Sequence, residues 1–473
     1  MREFERVMRD IKQSIDHGRL LNGQALPSER QSALHYRVSR STIRRAWQEL
    51  EAIGYITWTS QSTPTVIGPP QWPTRVERSP VGRMAPELQP GFLGDLMQAA
   101  VSPARYNFEI GMPDPELFPV TDFHRILREL FGNPSREVFG YSPTAGLERV
   151  RQAIREEYLF RRGLKPHMEE ILVTAGSLQG LDLLTRLWVQ PGDVVVVESP
   201  TFAGALHVFR SHGARIVGIP VDQEGLRTDL LPTLLRGLPT PRFLYVQPVA
   251  QNPTGVTLSA NRREALMAWA RSVHVPIVED DAYGFLADTP PLAALDFFPV
   301  VYLNTFSKIL APGIRVGFLV APADLVRQLA SLKQLSDLHT GTLSQLVAEG
   351  WLRMADIDAH IQRARTIYGS RIKTAVKVLS GIPELEPFAE PSQGFYLFAR
   401  VSSGTAVPHL HQEAVKQEIL FAPGEPFGVE RHEFPEWIRL AVSAQPTAQI
   451  ETGLRRLAHL IRREAGGGLG GLS

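Results

Sequence analysis

The chain has 473 residues, 43% apolar and 21% charged, and no cysteine. That length supports two or three domains with large buried cores, and the lack of cysteine excludes disulfides, thiolate metal sites and cysteine nucleophiles. Net charge is +1 but uneven: residues 1–68 hold ten Lys/Arg against seven Asp/Glu, while the region from Gly91 onward is net acidic, which points to a nucleic-acid-facing N-terminal module. The first residues, MREFERVMRDIKQSI, are charged throughout, and no apolar run approaches the roughly 20 residues of a membrane helix, so a soluble, cytoplasmic protein without a membrane partner is expected.

Phe4, Val7, Met8, Ile11 and Ile15 recur at helical spacing, with Gly18 as the C-cap. Ser28 can cap a short second helix ending near Tyr36, and Ser39 a third that runs through Ile43, Ala46, Trp47 and Leu50 to a stop at Gly54. Two short helices joined by a tight turn form a helix-turn-helix, and Arg37, Arg40, Arg44 and Arg45 cluster there without an intervening acid. The stretch LPSERQSALHYRVSRSTIRRAWQELEAIGYI resembles the winged helix-turn-helix of GntR-family regulators. The resemblance implies contact with double-stranded DNA through Arg30, Arg40, Thr42 and Arg44. Hydroxyls and Arg30 suit phosphates, and Arg40 or Arg44 suits guanine edges. The wing segment Thr57-Trp-Thr-Ser-Gln-Ser-Thr-Pro-Thr65 departs from that family in lacking glycine, so a primed hairpin turn is costly there.

Pro69, Pro70, Pro73, Pro80, Pro86 and Pro90 then forbid helix or central strand, predicting a semi-stiff linker over residues 69–90. Beyond it, strand-like runs at 171–175, 194–198, 215–219, 243–247, 276–279, 301–304 and 317–320 alternate with helical patterns. This predicts an α/β domain with a large, mostly parallel sheet over residues 91–473. Ligands bind such sheets at the carboxyl ends of the strands, where the candidate residues are expected to fall. The glycine-rich tail from Gly466 is expected to be disordered.

The decisive stretch is Asn304-Thr-Phe-Ser-Lys308-Ile-Leu-Ala-Pro-Gly-Ile-Arg315-Val-Gly-Phe318. A lysine at a strand-to-loop corner can be desolvated into a carbonyl nucleophile, and Thr305, Ser307 and Arg315 suit a phosphate. The run Thr174-Ala-Gly176-Ser177-Leu178 opens a helix and offers free backbone N–H groups to the same kind of anion. Together these stretches resemble fold-type I aminotransferases that use pyridoxal 5'-phosphate (PLP), over about 370 residues from Tyr106 onward and with a kynurenine/2-aminoadipate flavour.

The resemblance makes Lys308 the Schiff-base lysine and Phe202, in Glu198-Ser-Pro-Thr-Phe202, the ring stacked on the pyridine. It gives Asn252, in Gln251-Asn252-Pro253-Thr254-Gly255, and Tyr283 to the cofactor's phenolic oxygen. Asp280 goes to the ring nitrogen by its spacing to Tyr283, with Asp281 as the competing register. Tyr141 goes to the phosphate of a second subunit, which implies a homodimer. Gly111, in Gly111-Met-Pro-Asp-Pro-Glu-Leu-Phe118, and Arg439, in Trp437-Ile-Arg439, go to the substrate carboxylate. The small-domain mark Pro391-Ser-Gln393-Gly394 has lost one glycine.

The fusion as a whole resembles the MocR class of transcriptional regulators. It implies a multidomain chain: a winged helix-turn-helix over residues 1–68, the linker, and a fold-type I PLP domain with a large mixed sheet and a smaller C-terminal α+β part. The implied function is a PLP-dependent regulator that senses an amino compound. A working aminotransferase with a vestigial DNA-binding module is the alternative, and a PLP lyase or decarboxylase a more distant one.

Overall fold

The computed structural model describes residues 3–16, 20–58, 63–68, 102, 104–132, 136–402, 404–430 and 432–467. Gly18, the wing tip at 59–62, the proline-rich stretch at 69–90 and the end of the tail lie outside them. The chain divides into two compact units, Met1–Gln89 and Pro90–Ser473.

In the first unit, helices α1 (Glu3–Asp16), α2 (Glu29–Tyr36) and α3 (Arg40–Ala52) precede a two-stranded antiparallel ribbon, β1 (Ile56–Thr57) with β2 (Thr65–Val66). The start of α2 is a capping box: the Ser28 hydroxyl accepts from the Gln31 backbone N–H at 3.3 Å, and the Gln31 side chain accepts from Ser28 N–H at 3.0 Å. Arg37 ends α2 in the left-handed region at φ 53, and Ser39 caps α3 two residues later. The tight turn that results is what makes α2 and α3 a helix-turn-helix. Val7, Ile11 and Ile15 on α1 meet Ile43, Ala46, Trp47 and Leu50 on α3 in one buried cluster, the periodic face read from the sequence.

The second unit holds two sheets. The larger runs β4 (Ile171–Thr174), β11 (Gly317–Val320), β10 (Val300–Thr305), β9 (Ile277–Asp280), β8 (Phe243–Val246), β5 (Val194–Ser199), β6 (Arg215–Asp222) and β7 (Gly225–Leu226) in spatial order. Pairings from β10 through β6 are parallel, and β11 is antiparallel to both of its neighbours. Every residue of β5 and β10 is buried, as expected of strands covered on both faces. Helices α4 (Ser177–Trp188), α5 (Ala203–Ser211) and α6 (Ala323–Asp337) pack leucines and valines against one face, which forms one of the two main cores around this sheet.

The smaller sheet runs β12 (Leu385–Pro387), β13 (Tyr396–Val401), β15 (Trp437–Ala441), β14 (Ile419–Pro423) and β3 (Tyr106–Phe108). It packs on α7 (Ile357–Leu379) and α8 (Thr447–Gly467). Strand β3 joins this sheet parallel to β14 although it precedes the large sheet in the chain. The residues after β3 reach both sheets' neighbourhoods: the Glu109 carbonyl accepts from Arg439 of β15, and the Gly111 carbonyl from Lys308 after β10. Helix α8 continues through Gly466 and Gly467, so it runs two residues further than the composition of the tail suggests.

Candidate functional site

On the helix-turn-helix, Arg30, Arg40 and Arg44 are exposed and Thr42 is half-buried. Arg44 donates to Glu29 at 3.1 Å, a link between α3 and α2 that the acid-free run 37–45 conceals. An exposed pair of this kind is worth about 0–1 kcal/mol, so a phosphate can displace it. Thr42 is partly committed to the cap of α3, its backbone N–H donating to the Ser39 hydroxyl at 3.2 Å and its own hydroxyl 2.8 Å from it. Arg45 lies over the Phe4 ring of α1 at 4.2 Å and so serves the packing of this unit.

In the second unit the loops after β4 and β10 converge. Arg315, itself in the left-handed region at φ 51, donates to the Ala175 carbonyl at 2.7 Å and to the Ser307 hydroxyl at 3.2 Å. Thr305 donates to Ser307 at 3.0 Å. Gly176 sits at the N-terminus of α4 with φ 99, and a Cβ there would stand 2.7 Å from Arg315 Nη2. No side-chain hydrogen bond caps this twelve-residue helix, which leaves early backbone N–H groups, those of Gly176, Ser177 and Leu178, available to an anion near Arg315. That arrangement fits a phosphate monoester.

Lys308, in the turn after β10, donates to the Gly111 carbonyl at 2.7 Å. Its Nζ lies 6.0 Å from the centres of the Tyr283 and Phe395 rings. Asp280 ends β9 and is held by one oxygen only: Oδ2 accepts from Tyr245 at 2.8 Å and Gln247 at 3.2 Å, while Oδ1 is buried without a partner. Burial pushes this carboxyl up to about 6, and the two hydrogen bonds oppose the shift. An anchored carboxylate with one bare buried oxygen fits a cationic ring N–H. Asp281 also has a bare Oδ1, but its Oδ2 is ion-paired with Arg162 at 3.1 Å and accepts from Tyr302 at 2.8 Å. The neighbouring carboxylates therefore have different surroundings.

Asn252 accepts from Arg439 Nη1 at 3.1 Å, and its backbone N–H donates to Gln247. Arg439 is 1% exposed, in the middle of β15, its guanidinium carbon 4.7 and 4.8 Å from the centres of the Tyr396 and Phe427 rings. Its Nη2 donates to the Glu109 carbonyl and its Nε has no partner. Both hydrogen-bond acceptors are neutral; burial lowers the pKa of the guanidinium, and the nearby Tyr396 and Tyr283 hydroxyls and Glu109 carboxylate oppose that shift. The Tyr283 hydroxyl is 2.8 Å from that of Tyr396. Phe202 is half-buried just before α5. Tyr141 is 87% exposed, its ring edge-on to His339 at 5.7 Å, and is not brought to this cluster within one chain.

The structure thus corrects one expectation. Candidates from the large sheet lie at strand carboxyl ends, but Gly111, Tyr141 and Arg439 do not: Arg439 is mid-strand in the small sheet and the other two are in loops. Sequence reasoning also missed Tyr245, Gln247 and Tyr396. The first two were legible as residues two apart at the end of one strand, hence on one face. Tyr396 ends the small-domain mark that begins at Pro391, where only the lost glycine drew notice.

A model of class I and II aminotransferases matches residues 122–457, and one of the gntR family of bacterial regulatory proteins matches residues 4–66. Aromatic-amino-acid aminotransferase 1 of Thermococcus litoralis is 34% identical over 364 residues, which cover 75% of this chain and 87% of that protein. An uncharacterized HTH-type transcriptional regulator of Bacillus subtilis, YisV, is 30% identical over 484 residues, covering 98% and 96% respectively. Among solved structures, the α-aminoadipate aminotransferase LysN of Thermus thermophilus, complexed with N-(5'-phosphopyridoxyl)-L-leucine, matches with a TM-score of 0.74 at 29% identity, over 80% of this chain and 96% of that one. With its GntR region, its aminotransferase fold of a type that typically binds PLP, and full-length relatives that share both, the chain belongs to the class I and II aminotransferase family and, within it, to the DNA-binding transcriptional regulators of the MocR class.

Proposed function

We propose that this GntR-family regulator holds PLP at Lys308 and reads an amino compound through Arg439, with the occupancy of that site setting its affinity for DNA. In this reading residues 1–68 bind DNA, residues 69–90 link, and residues 91–473 form the sensor of a homodimer in which Tyr141 reaches the phosphate held by the other subunit. The observation that carries it is a buried pair of charges with an unpartnered atom each, Asp280 Oδ1 and Arg439 Nε, in the unit that holds Lys308 against the Gly111 carbonyl.

PLP, when bound, supplies an aldehyde that condenses with amines and a ring that withdraws electrons. The chain's own groups do the rest. Gly176, Ser177, Leu178, Thr305, Ser307 and Arg315 hold the phosphate, and Phe202 packs on the ring. Asp280 Oδ1 holds a proton at the ring nitrogen; with its carboxyl at about 6 in the free protein it is mostly anionic at pH 7, and a cationic partner makes it more so. Asn252 and Tyr283 bind the phenolic oxygen. Arg439 grips the carboxylate of the amino compound as a two-pronged donor, with Gly111 covering it. In the alternative reading of a working aminotransferase, a free Lys308 Nζ would be the group that takes and returns a proton at the compound's α-carbon. The intact set of groups around Lys308 favours keeping that alternative.

The test is incubation with PLP, borohydride reduction and peptide mapping. The expected result is a single pyridoxyl adduct on Lys308, absent in Lys308→Ala. An adduct elsewhere, or none, contradicts the assignment.

A further inference from the structure

Tyr396 closes the small-domain mark Pro391-Ser-Gln393-Gly394-Phe395-Tyr396 but had no role assigned there, yet it touches three parts of the site. It is 2% exposed, at the start of β13, and its hydroxyl is 2.8 Å from that of Tyr283, itself 3% exposed. Strand register pairs Phe398 with Arg439 and Tyr396 with Ala441, so Tyr396 and Arg439 are diagonal neighbours on one face, and the guanidinium lies 4.7 Å from the ring centre. On the other side stands Gly111: a Cβ there would fall 1.9 Å from the Tyr396 hydroxyl, so only glycine lets that hydroxyl reach its place.

We propose that Tyr396 is a positioning residue whose hydroxyl donates to Tyr283, leaving Tyr283 to donate its single proton to the phenolic oxygen of PLP. This rests on the reading of the site given above. A tyrosine hydroxyl has one proton and accepts on two lone pairs. Once Tyr283 spends that proton on the cofactor, its contact with Tyr396 is a hydrogen bond only if Tyr396 is the donor. The Arg439 cation on the Tyr396 ring favours the negative polarity a donating hydroxyl oxygen takes on. Chained hydrogen bonds polarise one another, so Tyr396 strengthens the hold of Tyr283 on a negative phenolic oxygen. The same arrangement ties the carboxylate-binding arginine to the phenolic oxygen of the cofactor through two side chains, Tyr396 and Tyr283.

The experiment follows the visible absorption of PLP-loaded protein against pH, for wild type, Tyr396→Phe, Tyr283→Phe and Gly111→Ala. Weaker support of the phenolic oxygen's negative charge makes the chromophore hold its proton to higher pH. Tyr396→Phe is expected to raise the midpoint by on the order of half a unit, about threefold in proton affinity, with PLP affinity nearly unchanged. Tyr283→Phe should raise it further, and Gly111→Ala should move it in the same direction because its Cβ displaces the Tyr396 hydroxyl. A midpoint unmoved in Tyr396→Phe while Tyr283→Phe shifts it overturns this proposal alone. A wild-type protein without a borohydride-sensitive band overturns the reading of the site, and this proposal with it.

Discussion

Arginine works in opposite regimes in the two units. Arg44 on the recognition helix is 59% exposed in its side chain and ion-paired across a turn to Glu29. Arg439 is 1% exposed, close to the Tyr396 and Phe427 rings, with Nη1 and Nη2 on neutral oxygens and Nε unpartnered. In water a charge exchanges partners at small cost, so Arg44 suits a surface that scans many phosphates and is screened by salt. Out of water a charge without an anion is expensive, so Arg439 suits one carboxylate in one geometry. The exposed arginine is adjustable, and the surroundings of the buried one are built in advance.

If that contrast holds, the largest effects fall in the buried unit. Asp281→Asn breaks a buried ion pair with Arg162 and is expected to cost about 3–5 kcal/mol of stability, read as a lower unfolding midpoint in urea. Arg439→Ala removes the fork for the carboxylate and should weaken the amino compound by about 2–5 kcal/mol in calorimetry, with DNA binding of the compound-free protein intact. Restoring the charge as lysine should not recover it, because lysine lacks the planar fork.

Asp280→Asn gives a smaller, pH-dependent effect. Protonation below about 6 neutralises the wild-type carboxylate, so PLP affinity should fall by up to about tenfold per unit of acidification below that value. Measured against Asp280→Asn, the wild type alone should show this extra dependence, and Asp281→Asn should keep it. A dependence lost in the Asp281 variant instead would shift the assignment by one residue. Smallest is the exposed pair: Arg44→Ala should weaken DNA binding by about 1–3 kcal/mol at one base position if it reads a base, or reduce the salt slope by about one if it touches phosphate. Glu29→Gln frees Arg44 and should tighten DNA binding by less than about 1 kcal/mol, seen by fluorescence anisotropy at low salt.

What the sequence disclosed follows the range of the interactions. Capping residues such as Ser28 and Ser39 act within three residues and were legible, as were the all-buried runs of β5 and β10. Lys308, Arg315 and Asn252 stand in short motifs and could be named. Strand β3 could not, because three residues carry too little alternation and its partner lies about 310 residues away at Ile419–Phe421. The meeting of Tyr283 with Tyr396 spans 113 residues, and that of Asp281 with Arg162 spans 119. The spacing Asp280 to Tyr283 chose one of two neighbouring carboxylates, whereas their different hydrogen-bond partners depend on β8 and on Arg162, which no local pattern exposes.

The central claim is that the sensor site and the DNA-binding helices of one chain share a free energy, and DNA affinity measured with and without PLP tests it most directly. Wild-type protein on an operator fragment should change its dissociation constant about 5- to 150-fold when loaded with PLP, the range of typical coupling energies, and change again when an amino compound occupies Arg439. Lys308→Ala should lose most of the first change while still binding the fragment. Identical dissociation constants for free, PLP-loaded and amine-treated wild type would contradict the account.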